Sequence, residues 1–357
     1  MSRPWRIDDD DTATAYATAV RVGHDVRVLI VKLSSLGDVV HAMPVVHDIR
    51  AALPQAVIDW VVEPGFAPLV CRVAGIDRTI ACALRRWSKG WWRADVRAEW
   101  RAFRERLQQE RYDAVIDLQG LTKSALIGRV ARLAPGGARY GLANRTEGAS
   151  HEAPARWLVD HAIRIAPRVH ALDRSRELAA RALGYGLHGA PQFGLQAHPA
   201  GDPSAARTVV FVHGTSRDDK LWPEASWIEI GQRLLAQGLR IALPHAGTVE
   251  LERAQRIASA LGDAAEVWPA MTLDALVDRL GGVRGVVGVD SGLSHIAVAL
   301  DLPHVQIYNF PTAWRTGPQP EHGHRHQVSV EARPTPSVEA VWGAWQQVQH
   351  ALLAAPA

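Results

Sequence analysis

Short apolar runs alternate with longer amphipathic stretches along most of the chain, and this alternation limits the folds that are available. The first run, RVLIVKL, begins at Arg27 and precedes the stretch VVHAMPVVHDIRAAL, whose apolar positions have helical spacing. AVIDWVVE and YDAVIDLQG are further strand-like runs, and WRADVRAEWRAFRERLQQE between them is typical of a long helix. Repeated strand–helix units predict a parallel sheet with helices on its faces.

A second series of the same kind follows the Pro-, Gly- and Ala-rich stretch LHGAPQFGLQAHPAGDPSAAR. It runs from TVVFVHG through RIALPHAG to GVVGVD, and the chain closes with the amphipathic stretch SVEAVWGAWQQVQHALLA. We therefore predict the α/β class, with two Rossmann-like doubly wound domains facing each other across a cleft. Such folds bind ligands outside the carboxyl ends of their strands. The predicted divisions are a leader of uncertain order over 1–25, a first domain over 26–195, a second domain over 196–333 and a C-terminal helix over 334–357.

The composition agrees with two folded domains. The chain has 357 residues, 47% of them hydrophobic and 22% charged, which excludes a largely disordered or fibrous protein. No apolar run approaches the roughly 20 residues of a membrane-spanning helix, and the start of the chain lacks the pattern of a secretory signal. We therefore expect a cytoplasmic protein. Cys71 and Cys82 suggest neither a disulfide framework nor a zinc site.

The segment SSLGD, from Ser34 to Asp38, lies at the end of the first predicted strand and opens a helix. Gly37 permits a tight turn, and the unpaired amides at a helix start favour an ionised carboxylate at Asp38. Two interpretations stay open from this motif alone. Asp38 is a reactive carboxylate, or it only stabilises the start of the helix.

Two polar segments follow strands of the second series. In HGTSRDDK, which ends at Lys220, hydroxyls, glycine amides and a lysine suit a diphosphate. The alternative is a solvated loop in which Lys220 pairs with Asp219. In DSGLSH, which begins at Asp290, Ser291 is placed to cap a helix whose amides bind an anion; the alternative is a capped helix with His295 packed in the core. Together with SSLGD, these loops favour a nucleotide held by one domain facing a base on the other.

The stretch from Arg85 to Arg111 is basic, with nine Lys or Arg residues against four Asp or Glu and four interleaved tryptophans. Arg93, Arg97 and Arg101 recur every four residues and are predicted to line one face of a helix. This face suits a phosphorylated glycolipid or an anionic membrane surface. The alternatives are nucleic acid, for which no recognisable module accompanies the charges, and a plain solvated face. We predict the glycolipid and no nucleic acid.

Two other patterns suggest metal binding. His322, His324 and His326 alternate along a glycine-containing loop, but the sequence supplies no closed ligand shell around them. The acidic run Asp8–Asp11 lies in the leader. We predict neither a metal site nor a cofactor.

Taken together, the motifs resemble those of a known family, the lipopolysaccharide heptosyltransferases, and in particular its type I members. The similar segments are KLSSLGD from Lys32, HGTSRDDK and DSGLSH. RRW from Arg85, YDAVIDLQGLTKSA from Tyr112 and PAMTL from Pro269 also look like that group, so the resemblance extends over roughly residues 27–348.

This resemblance implies a GT-B fold and an inverting enzyme that needs no metal. The implied reaction moves L-glycero-D-manno-heptose from ADP-heptose to a Kdo residue of Kdo-lipid A, in synthesis of the lipopolysaccharide inner core. It also implies that the first domain binds the acceptor and the second the donor, with peripheral contact at the cytoplasmic face of the inner membrane.

The same resemblance implies roles for individual residues. Asp38 is the implied general base and Lys32 a neighbouring cation. Asp290 is assigned to the donor sugar, Glu250 to the ribose and Met271 to the adenine. The remaining implied donor contacts, which hold the diphosphate, are Thr215, Ser216, Lys220, Ser291, Gly292 and His295. The implied acceptor contacts are Ser35, Gly37, Arg85, Arg86, Lys89, Gln119 and Lys123.

The sequence departs from the family in two places. Relatives carry a YGPT segment after the last strand of the donor domain, whereas this chain has YNFPT from Tyr308 to Thr312, one residue longer and without the glycine. The segment from Tyr140 to His170 follows the family only loosely.

Parts of the sequence are also compatible with other functions. A type II heptosyltransferase would use an already heptosylated core, and the type I segments argue against it. An α/β hydrolase would need GxSxG where Gly288–Gly292 reads GVDSG, and a dinucleotide-dependent oxidoreductase would need more glycines than SSLGD contains. A non-catalytic sugar-nucleotide- or glycan-binding protein with the same loops is separated from an enzyme only by assay.

Overall fold

The computed structural model describes residues 25–199, 201–319 and 326–354. Their contacts divide the chain into two compact units, the first ending at Gly194 and the second beginning at Leu195. Each unit contains one six-stranded sheet whose neighbouring strands are parallel. The predicted α/β class with two doubly wound sheets is confirmed. The predicted leader, apart from Asp25, lies outside the described residues.

The first unit has the strand order β3-β2-β1-β4-β5-β6. Its strands are β1 (Arg27–Val31), β2 (Val57–Val62), β3 (Arg78–Ala81), β4 (Arg111–Asp117), β5 (Arg132–Leu142) and β6 (His161–Ile163). Its helices are α1 (Leu36–Ala42), α2 (Pro44–Ala52), α3 (Ala67–Val70), α4 (Leu84–Gly90), α5 (Ala94–Leu107), α6 (Thr122–Val130) and α7 (Ala171–Leu183). Since β1 lies at the centre of the sheet, the loop after it emerges in the middle of the carboxyl edge.

The strands alternate their side chains between the two faces of the sheet. Leu29 and Val31 of β1 belong to one core cluster together with Val61 and Val115 from the neighbouring strands, and all four side chains are buried. From its second residue onward every side chain of β1 is buried, so the strand is covered on both faces, as a central parallel strand requires.

The helix predicted after β1 is interrupted. It was expected to be continuous over VVHAMPVVHDIRAAL, but α1 ends at Ala42 and α2 begins at Pro44. Proline has no backbone N–H to continue the helical bonds, and its ring clashes with the preceding turn, so it begins a new helix more readily than it extends one. The break limits α1 to seven residues, the first three of which belong to the SSLGD segment.

The second unit has the strand order β12-β11-β10-β7-β8-β9. Its strands are β7 (Thr208–Val212), β8 (Arg240–Leu243), β9 (Ala265–Val267), β10 (Gly285–Val289), β11 (His304–Tyr308) and β12 (Gln327–Glu331). Its helices are α8 (Glu224–Ala236), α9 (Thr248–Leu261), α10 (Leu273–Leu280), α11 (Gly292–Ala299), α12 (Ala313–Thr316) and α13 (Val338–Ala354). The adjacent central strands β7 and β10 lead into the two polar loops.

The C-terminal helix α13 packs within the second unit. Val341, Trp345 and Val348 are buried in the same cluster as Phe211 of β7 and Val287 of β10. Among the described residues, no helix is both long and apolar enough to cross a bilayer.

Candidate active site

Asp38 lies in the first turn of α1, directly after β1. The backbone N–H of Ser35 donates to its Oδ2 at 3.1 Å, and the Ser35 hydroxyl donates to the same oxygen at 2.8 Å. These bonds hold the carboxylate against the start of the helix, where the helix dipole favours a negative charge. The helix-start function considered for Asp38 is therefore present in the structure, and it does not exclude a reactive role, because the side chain keeps about a third of its surface exposed.

Two buried cations flank this carboxylate. Lys32 Nζ lies 3.8 Å from Asp38 Oδ1 and donates to the Leu118 carbonyl at 3.1 Å, while the Lys32 side chain is only 2% exposed. Arg174 of α7 lies 3.9 Å from the same Oδ1 and donates to the Thr146 hydroxyl at 3.1 Å. Desolvation raises the pKa of Asp38. Lys32, the Ser35 hydroxyl and Arg174 together lower it by more than desolvation raises it, so the net pKa lies well below the usual range. Asp38 is ionised at neutral pH.

Arg174 was missed by the sequence analysis. It follows Ala171 by three residues and precedes Leu178 by four, and all three side chains are buried on α7. The sequence contains a signal for it that the prediction did not use, a charged residue on the apolar face of a helical pattern, because such a side chain is buried only with a partner.

The turn after β4 holds the loop between β1 and α1 in place. Gln119 Oε1 accepts hydrogen bonds from the backbone N–H groups of Leu33 and Ser34, both at 3.1 Å. Asp117 fixes this turn by accepting from the Gln119 N–H at 2.9 Å and from the Ser124 hydroxyl at 2.9 Å. Burial raises the pKa of Asp117 to about 6, against the opposing effect of these donors. Gln119, an implied acceptor contact, thus uses its side-chain oxygen to hold the loop between β1 and α1.

The remaining acceptor candidates lie on helices beside this loop. Arg85 lies in the first turn of α4, where its N–H donates to Glu63 Oε1 at 3.2 Å, and Glu63 in turn donates its N–H to the Leu33 carbonyl. Arg85, Arg86 and Lys89 are exposed, and Arg86 forms an ion pair with Glu99. The exposed Lys123 lies in the first turn of α6, and Gly37 in the first turn of α1.

The prediction that Arg93, Arg97 and Arg101 share one helical face is wrong for Arg93. Arg93 precedes α5 in an extended conformation and pairs with Asp95, whereas Arg97 and Arg101 lie within the helix. Helix α5 begins only at Ala94, so Arg93 belongs to the turn between α4 and α5 and not to the helix.

In the second unit, Asp290 joins the two polar loops. Its Oδ2 lies 2.6 Å from Lys220 Nζ, its Oδ1 lies 3.5 Å from His295 Nε2, and its carbonyl accepts from the Thr215 hydroxyl at 3.1 Å. Burial raises the pKa of Asp290, but His295 and Lys220 together lower it by a larger amount. The net pKa of Asp290 therefore lies well below the usual range. The two polar loops of the second unit thus meet at Asp290.

The alternative in which Lys220 pairs with Asp219 is wrong. Lys220 pairs with Asp290, and Asp219 pairs with Arg217. The three-residue 3-10 turn Asp218–Lys220 points the lysine away from its sequence neighbour and toward the start of α11.

The start of α11 presents unpaired donors. Gly292 is its first residue and Ser291 occupies the N-cap position, but the Ser291 side chain makes no capping bond. The buried Ser291 hydroxyl has no hydrogen-bond partner among the described residues, which differs from the predicted cap. The hydroxyl and the first amides of α11 therefore remain available to an anion.

The residues predicted to contact the nucleoside, Glu250 and Met271, lie on other elements of the second unit than the two polar loops. Glu250, in the first turn of α9, accepts from the Ala246 N–H at 2.8 Å, and its carboxylate fills the space where a Cβ on Gly214 would lie. It thus contacts the HGTSRDDK loop. Ser216 is exposed in that loop, and Met271 is partly buried between β9 and α10.

The segment that departs from the family also contacts this loop. Asn309 Nδ2 donates to the carbonyls of Asp219 and Leu221, both at 2.9 Å, and Asn309 Oδ1 accepts from the Thr335 hydroxyl at 2.7 Å. Asn309 of the YNFPT segment thus ties the end of β11 to the turn that contains Lys220.

His326 is the described member of the predicted histidine loop. Its Nε2 contacts Asp301, with the carbonyl at 2.9 Å and the carboxylate at 3.1 Å. His322, His324 and Asp8–Asp11 lie outside the described residues. In the part of the chain that the structure describes, no group of three or more His, Cys, Asp or Glu side chains is arranged to hold a metal ion.

Comparison with known proteins decides the family. Residues 100–341 match the family described as glycosyltransferase family 9 (heptosyltransferase). The chain belongs to glycosyltransferase family 9. Lipopolysaccharide heptosyltransferase 1 of Escherichia coli K12 is 44% identical over 79% of this chain and 87% of its own length. The enzyme of the same name from Pseudomonas aeruginosa PAO1 is 39% identical over 79% of this chain and 78% of its own length. Lipopolysaccharide heptosyltransferase 2 of E. coli K12 is 25% identical over 79% of this chain and 82% of its own length.

Solved structures of family 9 agree. The E. coli heptosyltransferase WaaC with ADP has a TM-score of 0.80 and 37% identity, covering 90% of this chain and 100% of that one. The same enzyme with ADP-2-deoxy-2-fluoro heptose has a TM-score of 0.74 and 38% identity, covering 92% and 99%. The predicted resemblance to type I heptosyltransferases is confirmed, and the two sheets are those of a GT-B glycosyltransferase.

Proposed function

We propose that this family 9 glycosyltransferase is an inverting heptosyltransferase of type I. It moves L-glycero-D-manno-heptose from ADP-heptose to a Kdo residue of Kdo-lipid A. The observation that carries the proposal is the high identity of this chain to the two type 1 enzymes compared above. The type 1 enzymes of E. coli and P. aeruginosa are 44% and 39% identical to this chain, whereas the type 2 enzyme of E. coli is 25% identical over a similar span.

Asp38 is the proposed general base. In an inverting transfer the acceptor hydroxyl attacks a carbon that already has oxocarbenium character, and it loses its proton late. A weakly basic carboxylate suffices if it is positioned and ionised. The bonds from Ser35 supply the position, and the cations Lys32 and Arg174 keep the carboxylate charged.

The two loops of the second unit are the proposed donor site. Loss of ADP leaves negative charge on the diphosphate, which cationic and N–H donors in a sheltered site stabilise. Lys220 carries three N–H donors, one of which is directed at Asp290 in the present structure. Thr215, Ser216, Ser291, Gly292 and His295 complete the diphosphate contacts, with Asp290 at the sugar, Glu250 at the ribose and Met271 at the adenine.

The acceptor is bound by the first unit in this proposal. Ser35 and Gly37 lie beside the base in α1, and the side chains of Arg85, Arg86 and Lys89 give the neighbouring α4 a positive surface suited to the phosphates and carboxylates of Kdo-lipid A. Gln119 and Lys123 extend this surface along the turn after β4. Such an acceptor places the enzyme at the cytoplasmic face of the inner membrane.

A comparison of acceptors tests the proposal. Purified protein is incubated with ADP-heptose and either Kdo-lipid A or its singly heptosylated product, and transfer is followed by mass spectrometry. We expect transfer to Kdo-lipid A and little to the heptosylated acceptor. The reverse preference would assign the chain to type II, and no transfer to either would favour a binding protein.

The base is tested by Asp38→Asn, which keeps the size of the side chain and an acceptor oxygen for Ser35. We expect turnover to fall by roughly 10²- to 10⁴-fold, as for the loss of a general base. ADP affinity should change less than about twofold, because Asp38 belongs to the acceptor side. Turnover close to that of the unmodified enzyme would exclude Asp38 as the base.

A further inference from the structure

Two adjacent tryptophans are exposed at the turn between α4 and α5. The stretch contains four tryptophans, and Trp87 and Trp100 pack in the first unit with ring centroids 5.5 Å apart and edge-to-face. Trp91 and Trp92 instead expose 69% and 62% of their surface. Large aromatic side chains are normally buried or placed at interfaces, so two neighbouring exposed indoles require an explanation.

The backbone of this turn holds both rings outward. Trp91 directly follows the last residue of α4, and the N–H of Arg93 donates to the Gly90 carbonyl at 2.9 Å, which closes the turn on one side. The carbonyl of Trp92 accepts from the Arg97 guanidinium, which closes it on the other. The two indole rings lie 6.4 Å apart at 80° to each other. The exposed rings thus form part of a hydrogen-bonded turn.

The surface around the turn is strongly positive. Residues 84–101 contain six Lys or Arg and two Asp or Glu, a formal charge of +4. Arg86 pairs with Glu99 and Arg93 with Asp95, so both acidic residues are already engaged. Indole rings beside excess positive charge match the chemistry of an anionic bilayer surface, where tryptophan prefers the headgroup region and basic side chains meet acidic lipids.

We infer that the Trp91–Trp92 turn docks this enzyme on the anionic lipid surface of the membrane, with the two indoles in the headgroup region. This inference rests on the proposed function, which requires an acceptor embedded in a bilayer. It assigns a partner to residues outside the proposed acceptor contacts: the indoles touch bulk lipid, whereas Arg85, Arg86 and Lys89 touch the acceptor.

The experiment uses the full-length protein and vesicles without acceptor. Sedimentation is measured with vesicles containing about 30% phosphatidylglycerol in phosphatidylcholine and with phosphatidylcholine alone. The test variant is Trp91→Ser with Trp92→Ser. The matched control is Trp157→Ser, since Trp157 is also an exposed tryptophan of the first unit, 52% exposed, with Arg156 stacked over it at 5.4 Å.

We expect the unmodified protein to sediment with the anionic vesicles and much less with phosphatidylcholine. The double variant should lose roughly tenfold in partitioning, and the Trp157→Ser control should change less than about twofold. Unchanged partitioning of the double variant would overturn the inference, and so would an equal loss in the control. Sedimentation that appears only when Kdo-lipid A is added would overturn it too, by assigning the turn to the acceptor.

A second measurement separates this inference from the proposed function. Transfer to a water-soluble Kdo acceptor without acyl chains should be equal for the double variant and the unmodified protein, whereas transfer to vesicle-borne Kdo-lipid A should be slower for the variant. Failure of the unmodified protein to act on either acceptor would refute the proposed function and leave the vesicle result to decide the lipid contact by itself.

Discussion

At the scale of single residues, Asp38 combines two functions that are usually separate. The bonds from Ser35 make it part of the start of α1, and Lys32 and Arg174 make it a carboxylate that stays ionised. The same contacts that stabilise the helix therefore position the proposed base. The Ser35 hydroxyl and the flanking cations thus form the supporting shell that a precisely placed functional side chain needs.

Replacing Lys32 with methionine tests the electrostatic part of this arrangement. Because the buried ammonium lowers the pKa of Asp38, its removal should raise that pKa, and the acidic limb of the kcat/KM profile should move to higher pH by at least about one unit. Removing one partner of a buried ion pair costs stability, so the pH profile is compared under conditions where circular dichroism shows the variant to be folded. An acidic limb at its original pH would show that the base does not sense Lys32.

Part of this constellation could be predicted from the sequence. Lys32 and Asp38 are six residues apart across one strand-to-helix turn, so local spacing already places them together. Arg174 and Gln119 are distant in sequence, and only the packing of α7 and the pairing of β1 with β4 bring them to the loop. Non-local contacts of this kind have no signal in local periodicity.

At the scale of elements, the β-branched runs predicted most of the central strands, because each is buried on both faces and reads as one apolar string. The turns were harder. Helical spacing of the apolar and basic residues continued through both places, so it predicted no interruption there. The break at Met43 is caused by the proline that follows it, and the extended conformation of Arg93 is caused by the short turn before α5. The contacts of YNFPT were also beyond prediction, since they join β11 to a loop almost 90 residues earlier.

Asn309→Ala tests how far this departure from the family supports the donor site. Loss of the two bonds to Asp219 and Leu221 should loosen the turn that contains Lys220 and raise the KM for ADP-heptose roughly threefold to tenfold, with a smaller change in kcat. Thr335→Val is the matched control, because it removes only the bond from Thr335 to Asn309. Equal effects of the two variants would contradict a positioning role for Asn309.

Helix α13 supplies a prediction about stability. Trp345 is 1% exposed, and its ring lies against β10 so closely that a Cβ on Gly285 would meet it at 2.9 Å. Trp345→Ala should lower the free energy of unfolding of the second unit by about 3–5 kcal/mol. Trp342, on the same helix, is only partly buried, so Trp342→Ala should cost clearly less. Urea denaturation would compare them, and equal costs would show that α13 is not anchored through Trp345.

At the scale of the whole molecule, each unit has a core of its own and buries different ionisable groups. Burial lowers the pKa of His213 and of His304 in the second unit to about 4, and burial raises the pKa of Asp117 in the first unit to about 6. These shifts have opposite consequences. A histidine with a lowered folded pKa costs stability as the pH falls below 6.5, because the unfolded chain binds a proton that the folded one excludes. A carboxyl group with a raised folded pKa gains stability as the pH falls through 6.

Acidification should therefore weaken the second unit through its histidines. At pH 5 each buried histidine costs about 2 kcal/mol relative to pH 8, whereas protonation of Asp117 adds about 1 kcal/mol to the first unit. Amide hydrogen exchange of β7, β10 and β11 at the two pH values would measure the loss in the second unit.

His304→Asn isolates one contribution, since asparagine is able to keep the bond that the ring makes to the Val286 carbonyl at 3.1 Å but does not titrate. This variant should lose about 2 kcal/mol less than the unmodified protein between pH 8 and pH 5. An acid response as large as that of the unmodified protein would mean that His304 is protonated in the folded state, which its complete burial in β11 opposes.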